Sequence, residues 1–272
     1  AILSTRRIET RSDRLVTIAV LPMMSCAGRL PIYMMFVSAL FPSRLQAPVL
    51  FGIYASGVLL ALCCARLLKN TLFKAPQRDS LHHMKRLRLP SLRKVGILMW
   101  SRAFMYVRKA GTFILGASII LWFLNTYPRP EEDTAPTNAA AMEHSYAGQI
   151  GHWMEPVTQV AGFDWKINSA LVGAFAAKEI FVTQMGILYA VEDGNSAPAA
   201  QQTLNARLKA SYTPLQGISI MIFCLIALPC IGTVTVAKRE AGTWWFALAQ
   251  FGGLTLLGFA TATLIYQAGL LL

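Results

Sequence analysis

The sequence predicts an all-α, polytopic integral membrane helical bundle with broken and re-entrant helices. Three observations carry that prediction. Hydrophobic residues make up 55% of the 272 residues, charged ones only 14%, and mean hydropathy is +0.47, whereas a soluble domain carries about 25% charge. Apolar runs of about the 20 residues needed to cross a bilayer recur along the chain. Prolines and glycines interrupt some of them beside sulfur or charge. Soluble globular and disordered chains are thereby excluded. The net charge of +12 does not indicate nucleic acid, because the basic residues are gathered into stretches between the apolar runs.

The elements follow in order within a single transmembrane domain, 1–272. Residues 1–14 are polar and basic, and the absence of an apolar signal segment after Ala1 suggests a piece of a longer chain. A first segment over 15–41 is broken by Pro22, Gly28 and Pro31. A second, 48–68, is cleaner. Residues 66–112 hold 12 of the 25 basic residues and one acid, Asp79, so 69–94 is expected to be a basic cytoplasmic loop facing lipid headgroups. A third segment, 95–127, leads into an acidic external loop, 128–166, with Glu131, Glu132, Asp133, Glu143, Glu155 and Asp164. A fourth, 167–191, carries Lys178 and Glu179. Segments 213–237 and 243–272 complete the set, separated by Lys238-Arg239-Glu240. If 166 is external and 238 cytoplasmic, two apolar segments must make an odd number of crossings. Segment 167–191 is then the re-entrant one, since it holds the intramembrane charges; two full spans are the competing topology.

Chemistry concentrates at three places. In Leu21-Pro22-Met23-Met24-Ser25-Cys26-Ala27-Gly28-Arg29-Leu30-Pro31, each proline removes a backbone donor and obstructs the preceding turn. Backbone groups freed at membrane depth are tolerated where they are buried in protein or line a watery cavity, and transporter sites use such broken helices. A second interruption, Leu228-Pro229-Cys230-Ile231-Gly232, repeats the proline–cysteine–glycine order. Thiol sulfur suits transition metals. Two thiols make an incomplete and weak site, which suits passage. The third place is Lys178-Glu179, where an unpaired charge costs about 2.5–3.5 kcal/mol or more. Neighbours on a helix point about 100° apart, so Glu179 can face a path while Lys178 meets a backbone carbonyl; a buried ion pair is the alternative.

Elsewhere packing is expected. Cys63, Cys64 and Cys224 lie in apolar runs, and all five cysteines avoid the loops that a disulfide framework would use. His82-His83 reads as cytoplasmic surface. His144 and His152 with Glu143 and Glu155 offer an external cation site whose spacing matches no standard metal motif.

At these residues the chain resembles the membrane domain of the FeoB family, ferrous iron transport protein B. Pro22 to Pro31 is similar to the second gate motif of that family, usually Pro-Phe-Met-Ser-Cys-Gly-Ala-Arg-Leu-Pro, with Ala27 and Gly28 here in exchanged order. Gly162-Phe163-Asp164-Trp165, Ala177-Lys178-Glu179 and Pro229-Cys230-Ile231 match in order and spacing. The resemblance implies the C-terminal portion of a gate-type transporter domain in the bacterial cytoplasmic (inner) membrane. It implies Fe²⁺ as transported substrate, with metal-binding Cys26, Cys230 and Glu179. Pro22, Ser25, Gly28, Arg29, Pro31, Lys178 and Pro229 would shape the gate. GTP and Mg²⁺ would enter only through a G domain absent here, since no segment fits the phosphate-loop pattern; the chain itself is expected not to be an enzyme. Implied partners are the lipid bilayer, the G domain and first gate half of the same protein, small cytoplasmic accessory proteins and a homo-oligomer. A gate-type organic-solute or nucleoside carrier, with Arg29 and Lys178 on an anionic group, and a non-transporting membrane scaffold are the alternatives.

Overall fold

The computed structural model describes residues 5, 8, 10–71, 91–128, 143–190 and 197–271. Most of the basic loop, including His82-His83, lies outside them, as do Glu131, Glu132 and Asp133. Among the described residues there are helices and no strands. We number the helices α1 (Arg11–Val20), α2 (Leu30–Leu40), α3 (Ser43–Thr71), α4 (Leu92–Thr126), α5 (Tyr146–Thr158), α6 (Trp165–Ala176), α7 (Lys178–Ala190), α8 (Ala197–Ser211), α9 (Pro214–Ile226), α10 (Ile231–Ala241) and α11 (Trp244–Leu271). The architecture is the all-α bundle that the composition predicts.

Four stretches are long and apolar enough to cross a bilayer: Arg11–Leu40, Ser43–Thr71, Pro214–Ala241 and Trp244–Leu271. Two of them are continuous helices, α3 and α11. The other two are interrupted, Arg11–Leu40 by tight turns over Leu21–Met23 and Ala27–Arg29, and Pro214–Ala241 between Ile226 and Ile231. In α4 the apolar run is shorter, Leu115–Thr126, because Arg108 and Lys109 precede it.

Helices α6 and α7 form an antiparallel hairpin with Ala177 at its tip. Gly173 faces Ile180, and a Cβ there would lie 2.9 Å from Ile180 Cγ2. Further down, Gln184 Nε2 donates to Ser169 Oγ at 3.4 Å, and Lys166 Nζ lies 4.7 Å from the Tyr189 ring centre. Small residues at 173, 174 and 176 allow this approach. At the tip Ala177 is extended, with φ −151 and ψ 135, so the chain reverses without a glycine.

The hairpin is embedded in a core in which Tyr33, Phe36, Phe163, Phe181, Met185 and Met221 are fully buried. Helix α2 packs on α3, α7, α8 and α9, and α9 packs along α11. An amide pair ties α4 to the hairpin: Asn125 Nδ2 donates to Gln184 Oε1 at 2.9 Å, and Gln184 Nε2 donates back to Asn125 Oδ1 at 2.8 Å. Outward faces are apolar, with Phe51 75%, Trp100 76% and Trp245 83% exposed; such a surface suits lipid and is costly in water.

Candidate functional site

The first interruption begins where α1 stops at Val20. Pro22 sits in the turn Leu21–Met23, and Pro31 is the second residue of α2, where a helix has no use for the missing N–H. Between them the backbone runs extended through Met24 (ψ 131) and Cys26 (ψ 164). Carbonyls at the end of α1 thereby lose their helical donors. Gln250 of α11 replaces some, donating to Ile18 O at 2.7 Å and Ala19 O at 3.3 Å. Arg29, 2% exposed, donates through Nη1 to Met24 O at 3.4 Å. Cys26 is exposed.

The second interruption is built differently. Ala227 is extended, and Leu228 takes φ +52, a left-handed conformation that costs an L-residue roughly 1–2 kcal/mol. Pro229 is buried. Cys230 holds the N-cap position of α10 without a side-chain bond to the helix backbone, its Sγ 3.2 Å from Thr233 Oγ1, so the half-buried thiol sits at the positive end of that helix. Gly258 of α11 lies directly behind: a Cβ there would come within 2.7 Å of Ala227 Cβ and 3.0 Å of Ala227 N.

The hairpin tip touches both interruptions. Lys178, 5% exposed, donates to Ala227 O at 3.3 Å. Glu179 is exposed and points elsewhere, with Oε1 2.7 Å from the position a Cβ would take on Gly28. The same position is 3.6 Å from Lys178 Cβ. Arg29, Cys26, Cys224 and Cys230 all lie close enough to Lys178 to act on its charge. Neither Arg29 nor Lys178 has a carboxylate within 4.0 Å among the described residues.

The predicted residues therefore fall at one junction, but the three expected ligands are not drawn into a shell. Among the described residues no group of three or more His, Cys, Asp or Glu side chains is placed to hold a metal ion. The histidines expected to form an external cation site do not make a metal centre either among the described residues. His152 faces Glu143 through Nε2 at 3.4 Å and Glu155 through Nδ1 at 3.2 Å, which puts the two carboxylates on opposite sides of the ring. Sequence reasoning missed Gln250, the left-handed turn at Leu228, Gly258 and the place of Cys224 beside the cations. A lone amide inside an apolar run was the available signal for Gln250.

At the foot of the hairpin, Asp164 caps α6 by accepting from Ile167 N at 2.9 Å. Tyr212 OH donates to the same carboxylate, 2.9 Å from Oδ2, and lies 3.1 Å from Tyr189 OH. Burial raises the Asp164 carboxyl above its ordinary range, against the pull of those donors and Lys166.

A family model described as "Nucleoside recognition" matches residues 107–244, and one described as "Ferrous iron transport protein B C terminus" matches residues 50–102. The chain is 34% identical over 307 residues to the Fe(2+) transport protein A/Fe(2+) transporter FeoB fusion protein of Porphyromonas gingivalis, covering 100% of this chain and 36% of that one. It is 35% identical over 253 residues to the Fe(2+) transporter FeoB of Campylobacter jejuni, covering 92% of this chain and 41% of that one. With the Fe(2+) transporter FeoB of Methanocaldococcus jannaschii it shares 34% identity over 274 residues, 100% of this chain and 40% of that one. The chain belongs to the FeoB family. It spans about two fifths of the length of these FeoB relatives. Four membrane-length stretches and FeoB relatives named as transporters make it part of a multi-pass membrane protein. No solved structure matches it.

Proposed function

We propose that this chain is the membrane part of a ferrous iron transporter that imports Fe²⁺ across the bacterial cytoplasmic membrane. The observation supporting it most is the convergence of two interrupted helices on one hairpin tip, through Lys178 to Ala227 and Glu179 to Gly28. Cys26, Glu179 and Cys230 bind the ion in succession. Fe²⁺ is of borderline softness, so thiolate sulfur and carboxylate oxygen can each replace part of its water shell. Ligands that never close into one cage hold it weakly, and a conducting site must release its ion. Arg29 and Lys178 take no part in coordination; they hold the freed carbonyls of Met24 and Ala227.

The α6–α7 hairpin is re-entrant, with its foot at Lys166 and Tyr189 on the external side and its tip at membrane depth. That leaves Lys238-Arg239 cytoplasmic, in accord with the bias of basic residues towards that face. This chain carries no GTPase chemistry of its own; a G domain of the complete protein opens the path with GTP and Mg²⁺. The Porphyromonas relative is named as a fusion with Fe(2+) transport protein A, which supports a small accessory protein as a partner.

Fe²⁺ uptake by the complete protein tests the reading, with Cys26→Ser, Cys230→Ser and Glu179→Gln measured separately. Each variant is expected to lower uptake while the protein still inserts. Unchanged uptake in both thiol variants would overturn the sulfur-lined path. The two buried cations favour a second reading, a gate-type organic-solute or nucleoside carrier; competition by nucleosides but not by Mn²⁺ or Co²⁺ would support it instead.

A further inference from the structure

In a bilayer the solvent is hydrocarbon, so an apolar gap between helices is filled by protein or by lipid tails. Helix α4 bounds such a gap. Its external end is fixed, because Asn125 exchanges two hydrogen bonds with Gln184. Nearer its middle it stands off the body of the protein, and a Cβ added to Gly116 would meet no atom within 4 Å. The gap is a groove of about 940 Å³ between α4, α6 and α10. Roughly thirty waters would fit by volume. Its walls, however, are Gly116, Ile120 and Leu124 from α4, Val172 and Phe175 from α6, and Ile231 from α10, against which water would lack hydrogen-bond partners.

One end of the groove is polar. Arg108, which is exposed, lines it together with Thr112. Arg108 has no carboxylate within 4.0 Å among the described residues. Positions 108, 112, 116, 120 and 124 recur every four residues and so form one stripe along α4, with a cation at one end and a leucine at the other. The stripe is roughly 24 Å long at about 1.5 Å per residue. One leaflet contributes about 15 Å of hydrocarbon, so the remainder reaches the headgroup layer. Arg108 lies about two helical turns before the apolar run Leu115–Thr126, on the side of the basic stretch 69–94. At that depth a guanidinium meets lipid phosphates, whereas at the bilayer centre its charge would be costly.

We propose that this groove binds one anionic phospholipid of the cytoplasmic leaflet, with its phosphate on Arg108 and one acyl chain along the stripe to Leu124. A guanidinium matches phosphate both in charge and in the geometry of its donors. The chain lies against Ile231, the residue after Cys230, and against Ala176, which precedes the hairpin tip. The lipid thereby braces α4 against the two elements that carry the junction. Only the choice of leaflet rests on the topology proposed above; the groove and its cation do not.

The test uses the complete protein in nanodiscs of phosphatidylcholine containing a trace of phosphatidylglycerol with a photoreactive group in its acyl chain. After irradiation, digestion and mass spectrometry locate the crosslinks, which are expected on the α4 and α6 walls of the groove. The same photoreactive group carried on phosphatidylcholine should label these walls several-fold less. Arg108→Gln should bring the two lipids level, and Arg108→Lys should keep part of the preference. Gly116→Phe places a ring in the open space beside α4 and should abolish labelling of the groove. If that variant fails to fold, the exposed Arg108 position still decides the matter. Arg44→Gln, which removes an exposed cation of α3, should change nothing. Crosslinks spread evenly over the outward faces would overturn the proposal, as would equal labelling by the two lipids or unaltered labelling in Gly116→Phe. So would a groove left unlabelled in the complete protein, because another part of the polypeptide would then fill it. Iron is absent from every readout, so failure of the transport path leaves a labelled groove standing, and an unlabelled groove leaves the transport path untouched.

Discussion

The carboxylate of Glu179 occupies the space that a side chain on Gly28 would fill: Oε1 lies 2.7 Å from the ideal Cβ position. A glycine in the broken helix and an acid on the hairpin are thus matched in shape across the junction. The contact is with the free end of a flexible side chain, so it can yield by rotation.

Gly28→Ala should therefore displace the carboxylate and leave the fold intact, with the thermal midpoint within about 3 °C of the parent. Iron uptake should fall, and Gly28→Ala combined with Glu179→Ala should transport no worse than Glu179→Ala alone. An additive loss in the double-mutant cycle would show that the two residues act separately.

Gly258 meets backbone, where the neighbour cannot rotate away. Gly258→Val is expected to push Ala227 from α11, cost about 1–3 kcal/mol by overpacking, and loosen the bond from Lys178. Thermal unfolding in nanodiscs reads the first effect. The second appears as faster labelling of Cys230 by a thiol reagent, which an undisturbed second interruption would not show.

Leu228 holds φ +52, tolerable for a side chain not branched at Cβ and much less so for a β-branched one. Leu228→Ile should destabilise by about 1–2 kcal/mol more than Leu228→Met, although both keep nearly the same volume. Equal midpoints for the two variants would mean that the left-handed turn is not retained.

Tyr212→Phe removes a donor from Asp164. Hydrogen bonds to charged groups contribute about 1.5–3 kcal/mol, so this variant should be less stable than the parent at neutral pH. The Asp164 carboxyl is raised in the folded state. The native chain therefore holds the proton to higher pH than the unfolded one, and stability from this group falls as pH rises through that window. Loss of the Tyr212 donor raises the group further. The deficit of the variant should shrink on acidification, once Asp164 is protonated in both proteins. Midpoints between pH 4 and 8 measure it; a deficit independent of pH would assign the loss to packing.

The helical character and the two interruptions were legible because proline and glycine act locally. Pro22, Pro31 and Pro229 left no regular continuation, whatever surrounded them. The convergence was not legible, since nothing near Lys178 in sequence names Ala227, 49 residues away. Gly258 reads as an ordinary small residue in an apolar helix until its neighbour is known. The three thiol and carboxylate positions were readable as chemistry, but their spacing in the chain carried no information on whether they would close around an ion.

The hairpin is fastened unevenly along its length. Its shaft is gripped by Phe181 and Met185, both without solvent exposure, and its foot is clamped by Asp164, Tyr212 and Tyr189. Among the described residues the tip is hydrogen-bonded to the second interruption by one long bond, Lys178 to Ala227 at 3.3 Å, and a hydrogen bond from a charged group contributes about 1.5–3 kcal/mol. Under strain the tip therefore parts from Ala227 before the shaft leaves its core.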